Sequence, residues 1–264
     1  SQRHGFTCTV LFAIDPADGT VNPARNDNIP GLEALDTADL MVLFIRWRDL
    51  PDEQVEHIAR YVRSGRPIVA MRAATHPFNF KTHPAFARWS SNSKEWDGGV
   101  GRQIVGETWI SHHGAHGKQS TRGIPAPGKH NHPILRGIRS VWGPTDVYTV
   151  RQPFPPENEV LLLGQVLTGM NPQDPSLEGP KNDPMMPVAW TRAYTYENGK
   201  SGRVFATTMG SAQDLADEGF RRLIVNAVYW SAGLEKKIKP GLDIAIVGAY
   251  QPSPFKFNGH IKGR

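Results

Sequence analysis

The chain has 264 residues, 39% hydrophobic and 21% charged, with a formal net charge of +5 and one cysteine, Cys8. That balance can build a core, so wholesale disorder is excluded, as are an internal disulfide and a cysteine-rich metal site. No apolar run reaches the roughly 18 residues of a spanning helix, and the basic excess near the C-terminus (Lys236, Lys237, Lys239, Lys256, Lys262, Arg264) reads as a basic, Pro/Gly-rich tail rather than a nucleic-acid face, so neither a membrane span nor a nucleic-acid partner is expected.

In chain order, residues 6–14 (FTCTVLFAI) read as a buried strand, with Cys8 as a small hydrophobe within it. Residues 40–45 (LMVLFI) and 67–71 (PIVAM) read as two more. Between them, PDEQVEHIARYVRSG predicts a helix: Val55, Ile58, Ala59 and Val62 keep helical spacing, Pro51, Asp52 and Glu53 suit its start, and Gly65 its stop. Strand, helix and strand within about 30 residues form a βαβ unit with parallel pairing and a right-handed crossover. Residues 76–146 lack clear periodicity and are rich in Gly, His, Pro and Trp, which in a domain of this size marks a functional or inserted region. Strands are expected at 160–164, 186–191 and 203–208, the last two joined by a turn at Glu197-Asn198-Gly199. A helix over 218–232 follows, with Phe220, Leu223, Ile224, Ala227 and Val228 on one face and Gly233 at its end. The expected organisation is one domain over 1–233 and an extended, basic, Pro/Gly-rich tail over 234–264.

The ordered segments GLEALDTADLMVLFIRWRDLPDEQ, PIVAMRAATHPF, HPILRGI, TDVY, PVAWTR and GRVFATTMGSAQDLADEGFRRLIVNAVYW resemble the trehalose-utilisation (ThuA-like) family over about residues 31–233. The resemblance implies an α/β fold of the flavodoxin-like, class I glutamine amidotransferase-like kind, a three-layer sandwich with a parallel-rich central sheet. It also implies a link to disaccharide or modified-sugar catabolism. Family domains begin with a strand and helix ahead of this point, and His4-Gly5-Phe6 resembles the loop after that helix, so the first βα unit is expected to be missing and to leave an exposed apolar groove. Many relatives carry a histidine after the late TT-x-G turn; here Ser211 follows Gly210.

Open parallel sheets bind ligands beyond the carboxyl ends of their strands. A true amidotransferase holds a cysteine in the tight turn after the strand matching 67–71; here that turn reads Arg72-Ala73-Ala74-Thr75-His76, without thiol or serine at the elbow, so glutamine hydrolysis is not expected. His76 is the sharpest candidate base, with Arg72 and Thr75 beside it to hold a sugar hydroxyl or an anionic group. Five of the ten histidines fall within 21 residues: His112, His113, His116, His130 and His132. Imidazoles serve near neutral pH as proton carriers or metal ligands, so His113 joins His76 as a catalytic candidate and His112, His116 and His132 line the expected binding surface. Arg46 and Trp47 offer guanidinium donors beside an aromatic plate at another strand end, and Asp146 and Tyr148, in TDVY, offer a catalytic carboxylate and a binding phenol. No cofactor is certain; a divalent metal is open. The partner expected is a small-molecule sugar, processed by histidine acid/base or metal-assisted chemistry, the alternative being a sugar-binding or scaffold domain without catalysis. A facing pair of carboxylates, as in ordinary glycosidases, is not evident.

Overall fold

The computed structural model describes residues 3–253. In chain order the elements are β1 (Met41–Leu43), α1 (Asp52–Arg63), β2 (Ile68–Met71), β3 (Ser111–His112), β4 (Thr121–Pro125), β5 (Val141–Gly143), β6 (Tyr148–Thr149), β7 (Glu159–Val166), β8 (Met186–Thr195), β9 (Ser201–Thr207) and α2 (Glu218–Ser231), with short helical turns between. Seven strands form one sheet in the order β1-β2-β9-β8-β7-β4-β5, and β3 and β6 form a separate two-stranded ribbon.

The sheet is mixed, which corrects the parallel-rich expectation. Only β1–β2 and β2–β9 run parallel; β9–β8, β8–β7, β7–β4 and β4–β5 are antiparallel. A parallel pair needs a long crossover, whereas antiparallel neighbours can be joined by a tight turn. α1 supplies the crossover from β1 to β2, and β8 turns directly into β9 at 196–200, with Glu197 held at φ 52°.

α1 forms as its spacing predicts. Val55, Ile58, Ala59, Tyr61 and Val62 are buried along it, and Asp52 and Glu53 occupy the first turn, where the helix dipole favours acids. Gly65 ends it at φ 71°, and a Cβ there would lie 2.7 Å from the Lys200 carbonyl oxygen, so both conformation and space require glycine. β2 is buried at all four positions. Because alternate side chains face opposite ways, Ile68 and Ala70 join one core with α1, and Val69 and Met71 join a second with Phe220, Leu223 and Ala227 of α2. The two helices thus cover opposite faces of the parallel part of the sheet.

Residues 6–14 are not a strand. Ile14 bridges Val21, Ala13 alone in this run is buried, and Cys8 is exposed rather than packed as a core residue. Strand propensity reflects the fit to a pleated, half-buried surface and acts only where a partner strand is present. An apolar groove of about 1290 Å³ runs along the free edge of β1, lined by Phe6, Cys8, Leu11, Val42, Phe44 and Val228 among others. Beyond α2, the chain stays against the domain: Ile238 and Ile244 are buried, and Arg221 and Arg222 donate to the carbonyls of Ile244 and Leu242. Lys256, Lys262 and Arg264 lie outside the described residues. Among those described, no helix is long and apolar enough to cross a membrane.

The Asp217 carboxylate accepts the Phe220 amide at 2.8 Å, capping α2, and the Trp142 amide of β5 at 3.3 Å. Asp217→Ala is expected to cost about 1 kcal/mol, lowering the melting temperature by about 2–4 °C without loss of fold by circular dichroism. An unchanged melting temperature would show that the cap contributes nothing to stability.

Candidate functional site

The ends of β1 and β2 carry two residues in a conformation that side chains rarely adopt: Trp47 at φ 47° and Arg72 at φ 45°. Such backbone costs of the order of 1–3 kcal/mol and persists only where its surroundings hold it. Here the Trp47 and Arg48 amides donate to the His76 and Pro77 carbonyls at 3.0 and 2.8 Å, and the Arg72 amide donates to Met209 O at 3.1 Å. The two loops are thereby sewn together and to the turn after β9.

The elbow turns the Arg72 guanidinium inward. Its Nη1 donates to Asp146 O at 2.7 Å and Thr208 O at 2.9 Å, its Nη2 to Asp146 Oδ1 at 2.8 Å, and the ion lies 3.7 Å from the centre of the Tyr148 ring. The Asp146 side chain is fully buried. Burial alone would raise its pKa; Arg72, His116 and His112 outweigh that and hold it below the ordinary carboxylate value. An ionised carboxylate accepts only, so both imidazoles donate: His116 Nδ1 to Oδ1 at 2.8 Å and His112 Nδ1 to Oδ2 at 2.6 Å.

The β3–β6 ribbon makes this convergence possible. It pairs His112 with Tyr148, and the His113 and Gly114 amides donate to Val147 O. A Cβ at Gly114 would sit 3.2 Å from Asp146 Cβ, so glycine permits the approach. Thr145, just before Asp146, is fixed by Asp214, whose buried carboxylate also accepts the Gly210 and Ser211 amides at 2.7 and 3.1 Å.

Around the ion pair stands an aromatic wall. His76 lies 5.4 Å from Trp47, 5.5 Å from Trp109 and 6.1 Å from Tyr148 between ring centroids, and Trp109 lies 5.8 Å from His112. Arg46 stacks over Trp47 at 5.2 Å. Trp47 is 42% exposed, and the His112 and His116 side chains are 39% and 32% exposed, so the wall and both imidazoles open to solvent. The buried Trp109 Nε1 has no hydrogen-bond partner among the described residues.

The sequence-derived candidates thus divide. Arg46, Trp47, Arg72, Thr75, His76, His112, His116, Asp146 and Tyr148 gather in one region. His113 and His132 do not join it. The His113 Nε2 donates to Lys181 O at 2.9 Å, since neighbouring residues on a strand end point opposite ways. The His132 Nδ1 accepts the Ile134 amide, and its ring packs 6.0 Å from Trp230. His76 is buried, and burial, with Arg46, Arg72 and His112 nearby, pushes its pKa down to about 3, which suits a neutral wall residue better than a proton carrier near pH 7. Its Nδ1 lies 3.1 Å from the Thr75 hydroxyl. Trp109 and Asp214 were missed. Trp109 carries no sequence signal, whereas Ser211-Ala212-Gln213-Asp214 has capping-box spacing that would have flagged Asp214. The β1-edge groove is lined by none of the gathered residues. His112, His116 and Asp146 offer ligand atoms within 4.8 Å of one another, a group that could hold a metal ion.

Two measurements check this electrostatic picture. Arg72→Met leaves a fully buried carboxylate without its cation and is expected to destabilise the fold by about 3–5 kcal/mol; a loss under 1 kcal/mol in denaturant titration would refute the pairing. For His76, the folded pKa lies below the free value of 6.5, so the unfolded chain takes up the proton first as pH falls. Its neutral burial therefore contributes stability in full above about pH 6.5, and that contribution is lost as pH falls from there toward 3. By NMR its imidazole should stay neutral at pH 5, where a protonated ring would contradict the burial described.

Comparison with known proteins gives the following. Residues 19–231 match the family described as trehalose utilisation, ThuA. Curated proteins yield no match. Among solved structures, a ThuA-like protein from Bacteroides uniformis is 16% identical over 86% of this chain and 83% of its own, at a TM-score of 0.48. One from Parabacteroides merdae is 17% identical over 75% and 71%, at 0.46. A β-galactosidase from Bacillus circulans is 11% identical over 78% of this chain and 24% of its own, at 0.40. With the family matched across most of its length, this chain belongs to the ThuA, or trehalose-utilisation, family.

Proposed function

We propose that the protein processes a disaccharide or keto-sugar derivative of the trehalose-utilisation type, with its reacting centre at His112, Asp146 and His116. The observation that carries this is the shared carboxylate: one buried Asp146, neutralised by Arg72, orients two partly exposed imidazoles at the foot of an aromatic wall. Sugar CH faces pack on rings such as Trp47 and Trp109, and neutral or cationic nitrogen donors such as Arg46 take hydroxyls. Removing a proton beside a keto group, or assisting departure of a glycosidic oxygen, asks for imidazole acid/base or metal-assisted chemistry. A paired-carboxylate glycosidase mechanism needs a second facing acid, whereas among the described residues both imidazoles share the single carboxylate of Asp146. Thioester chemistry on glutamine has no support: Arg72 stands at the elbow, and Cys8 lines the groove at the β1 edge.

The test is turnover of 3-keto-disaccharides and of unmodified trehalose by the intact chain and by His112→Gln and His116→Gln. Each substitution is expected to lower kcat by about 100-fold or more with ligand affinity kept within a few-fold. Sugar binding with no turnover in the unsubstituted protein would favour the binding-domain reading instead, and turnover unaltered in both variants would remove the two histidines from the reacting centre.

A further inference from the structure

We propose that His112, His116 and Asp146 bind one divalent first-row transition ion of the Zn²⁺ class, an assignment that deepens the reading of this cluster as the reacting centre. The donor set points to that class. Two imidazole nitrogens and one carboxylate oxygen, with no thiolate, suit Zn²⁺, Mn²⁺ or Fe²⁺, whereas Mg²⁺ and Ca²⁺ prefer oxygen alone.

The geometry is close to what such an ion needs. The Nδ1 atoms of His112 and His116 approach the two oxygens of one carboxylate at 2.6 and 2.8 Å, and the three ligand atoms lie within 4.8 Å of one another. Ligands bonded at about 2.0–2.2 Å to one tetrahedral ion stand about 3.3–3.6 Å apart. Admitting the ion therefore asks each imidazole to draw back from its carboxylate oxygen by about 0.5–1 Å and to give up the Nδ1 proton that now bonds Asp146. The His112 and His116 side chains are 39% and 32% exposed, and Gly114 and Gly117 flank them in the loop. The carboxylate, by contrast, is rigid. Arg72 grips both its Oδ1 and its backbone carbonyl, and the neighbouring Thr145 is tied to Asp214. Outer groups that hold a ligand in place typically matter 10–100-fold for metal affinity.

Three protein ligands leave coordination positions open, which is the pattern of catalytic rather than structural sites. The Trp109 and Tyr148 rings stand beside His112 at 5.8 and 5.6 Å. A hydrogen-bonded triad without metal is the competing account of the same contacts, and the two differ in a direct measurement.

That measurement is isothermal titration calorimetry of the chelator-stripped chain with Zn²⁺, Mn²⁺ and Mg²⁺, without sugar. One Zn²⁺ or Mn²⁺ per chain is expected, with Mg²⁺ at least about 10-fold weaker. His112→Ala and His116→Ala should each weaken binding at least about 10-fold while keeping the native circular dichroism spectrum. His113→Ala and His132→Ala, whose imidazoles bond Lys181 O and the Ile134 amide, should bind as the parent does. Absence of stoichiometric binding, or binding unaffected in both His112→Ala and His116→Ala, overturns the site. Turnover undiminished in metal-free protein overturns it and spares the sugar reading; a bound ion in a protein that turns over no sugar does the reverse.

Discussion

The arrangement depends on one buried ion pair, Arg72 with Asp146. A carboxylate with no solvent exposure needs a partner, and the guanidinium meets it with a charge-assisted bond at 2.8 Å while also taking the carbonyls of Asp146 and Thr208. Those bonds join three separate pieces of chain: the end of β2, the end of β9 and the loop before β6. Buried pairs are weak contributors to net stability, because the cost of desolvating two charges consumes most of the attraction. What the pair does achieve is position. Both carboxylate oxygens are held where two imidazoles can reach them, and the face of Tyr148 closes over the cation.

The strained elbow at Arg72 makes sense in that light. A left-handed backbone at a strand end swings the side chain away from the sheet direction and across the top of neighbouring strands. In this chain it delivers a guanidinium inward, onto Asp146. The mixed topology supports this placement. The parallel strands β1, β2 and β9 end together, so the loops at 46–48, 72–76 and 208–211 meet on one edge. The antiparallel β8, β7, β4 and β5 extend the sheet on the side away from β1, and the chain after β5 brings Asp146 back to Arg72.

Much of the fold was legible in the sequence where periodicity and punctuation agree. α1 and α2 follow from apolar spacing bounded by Pro51 and Gly65, and by Asp217 and Gly233, because a helix satisfies its own backbone. Strands are harder, since each needs a neighbour that sequence does not name. Residues 6–14 carry every local mark of a strand, yet among the described residues only Ile14 of the run makes a bridge, to Val21, and the sheet is mixed because pairing direction lies in the connections. In the site, Arg46, Trp47, Arg72 and His76 were accessible from topology, as residues just beyond parallel strand ends. The histidine loop was accessible as a composition bias, but the bias cannot separate His112 from His113. One residue of register sends the first to Asp146 and the second to Lys181. Trp109 was invisible, as an aromatic whose importance comes only from the rings it meets.

His76 shows how the surroundings redistribute roles among similar side chains. It occupies the position that topology favours for a base, yet it is buried among Trp47, Trp109 and Tyr148 with two guanidinium groups near. Burial, with Arg46, Arg72 and His112 nearby, disfavours the imidazolium there. His112 and His116 are instead partly in water, each bonded to an oxygen of Asp146. The Tyr148 ring beside Arg72 also stands close to the Asp146 ion pair. An electrostatic interaction grows stronger as water is excluded, so the same rings that would pack against a sugar also sharpen the hold of the carboxylate on its two imidazoles. On the proposed reading, shape recognition and chemistry would draw on one set of residues, and a change at Trp109 or Tyr148 would act on both.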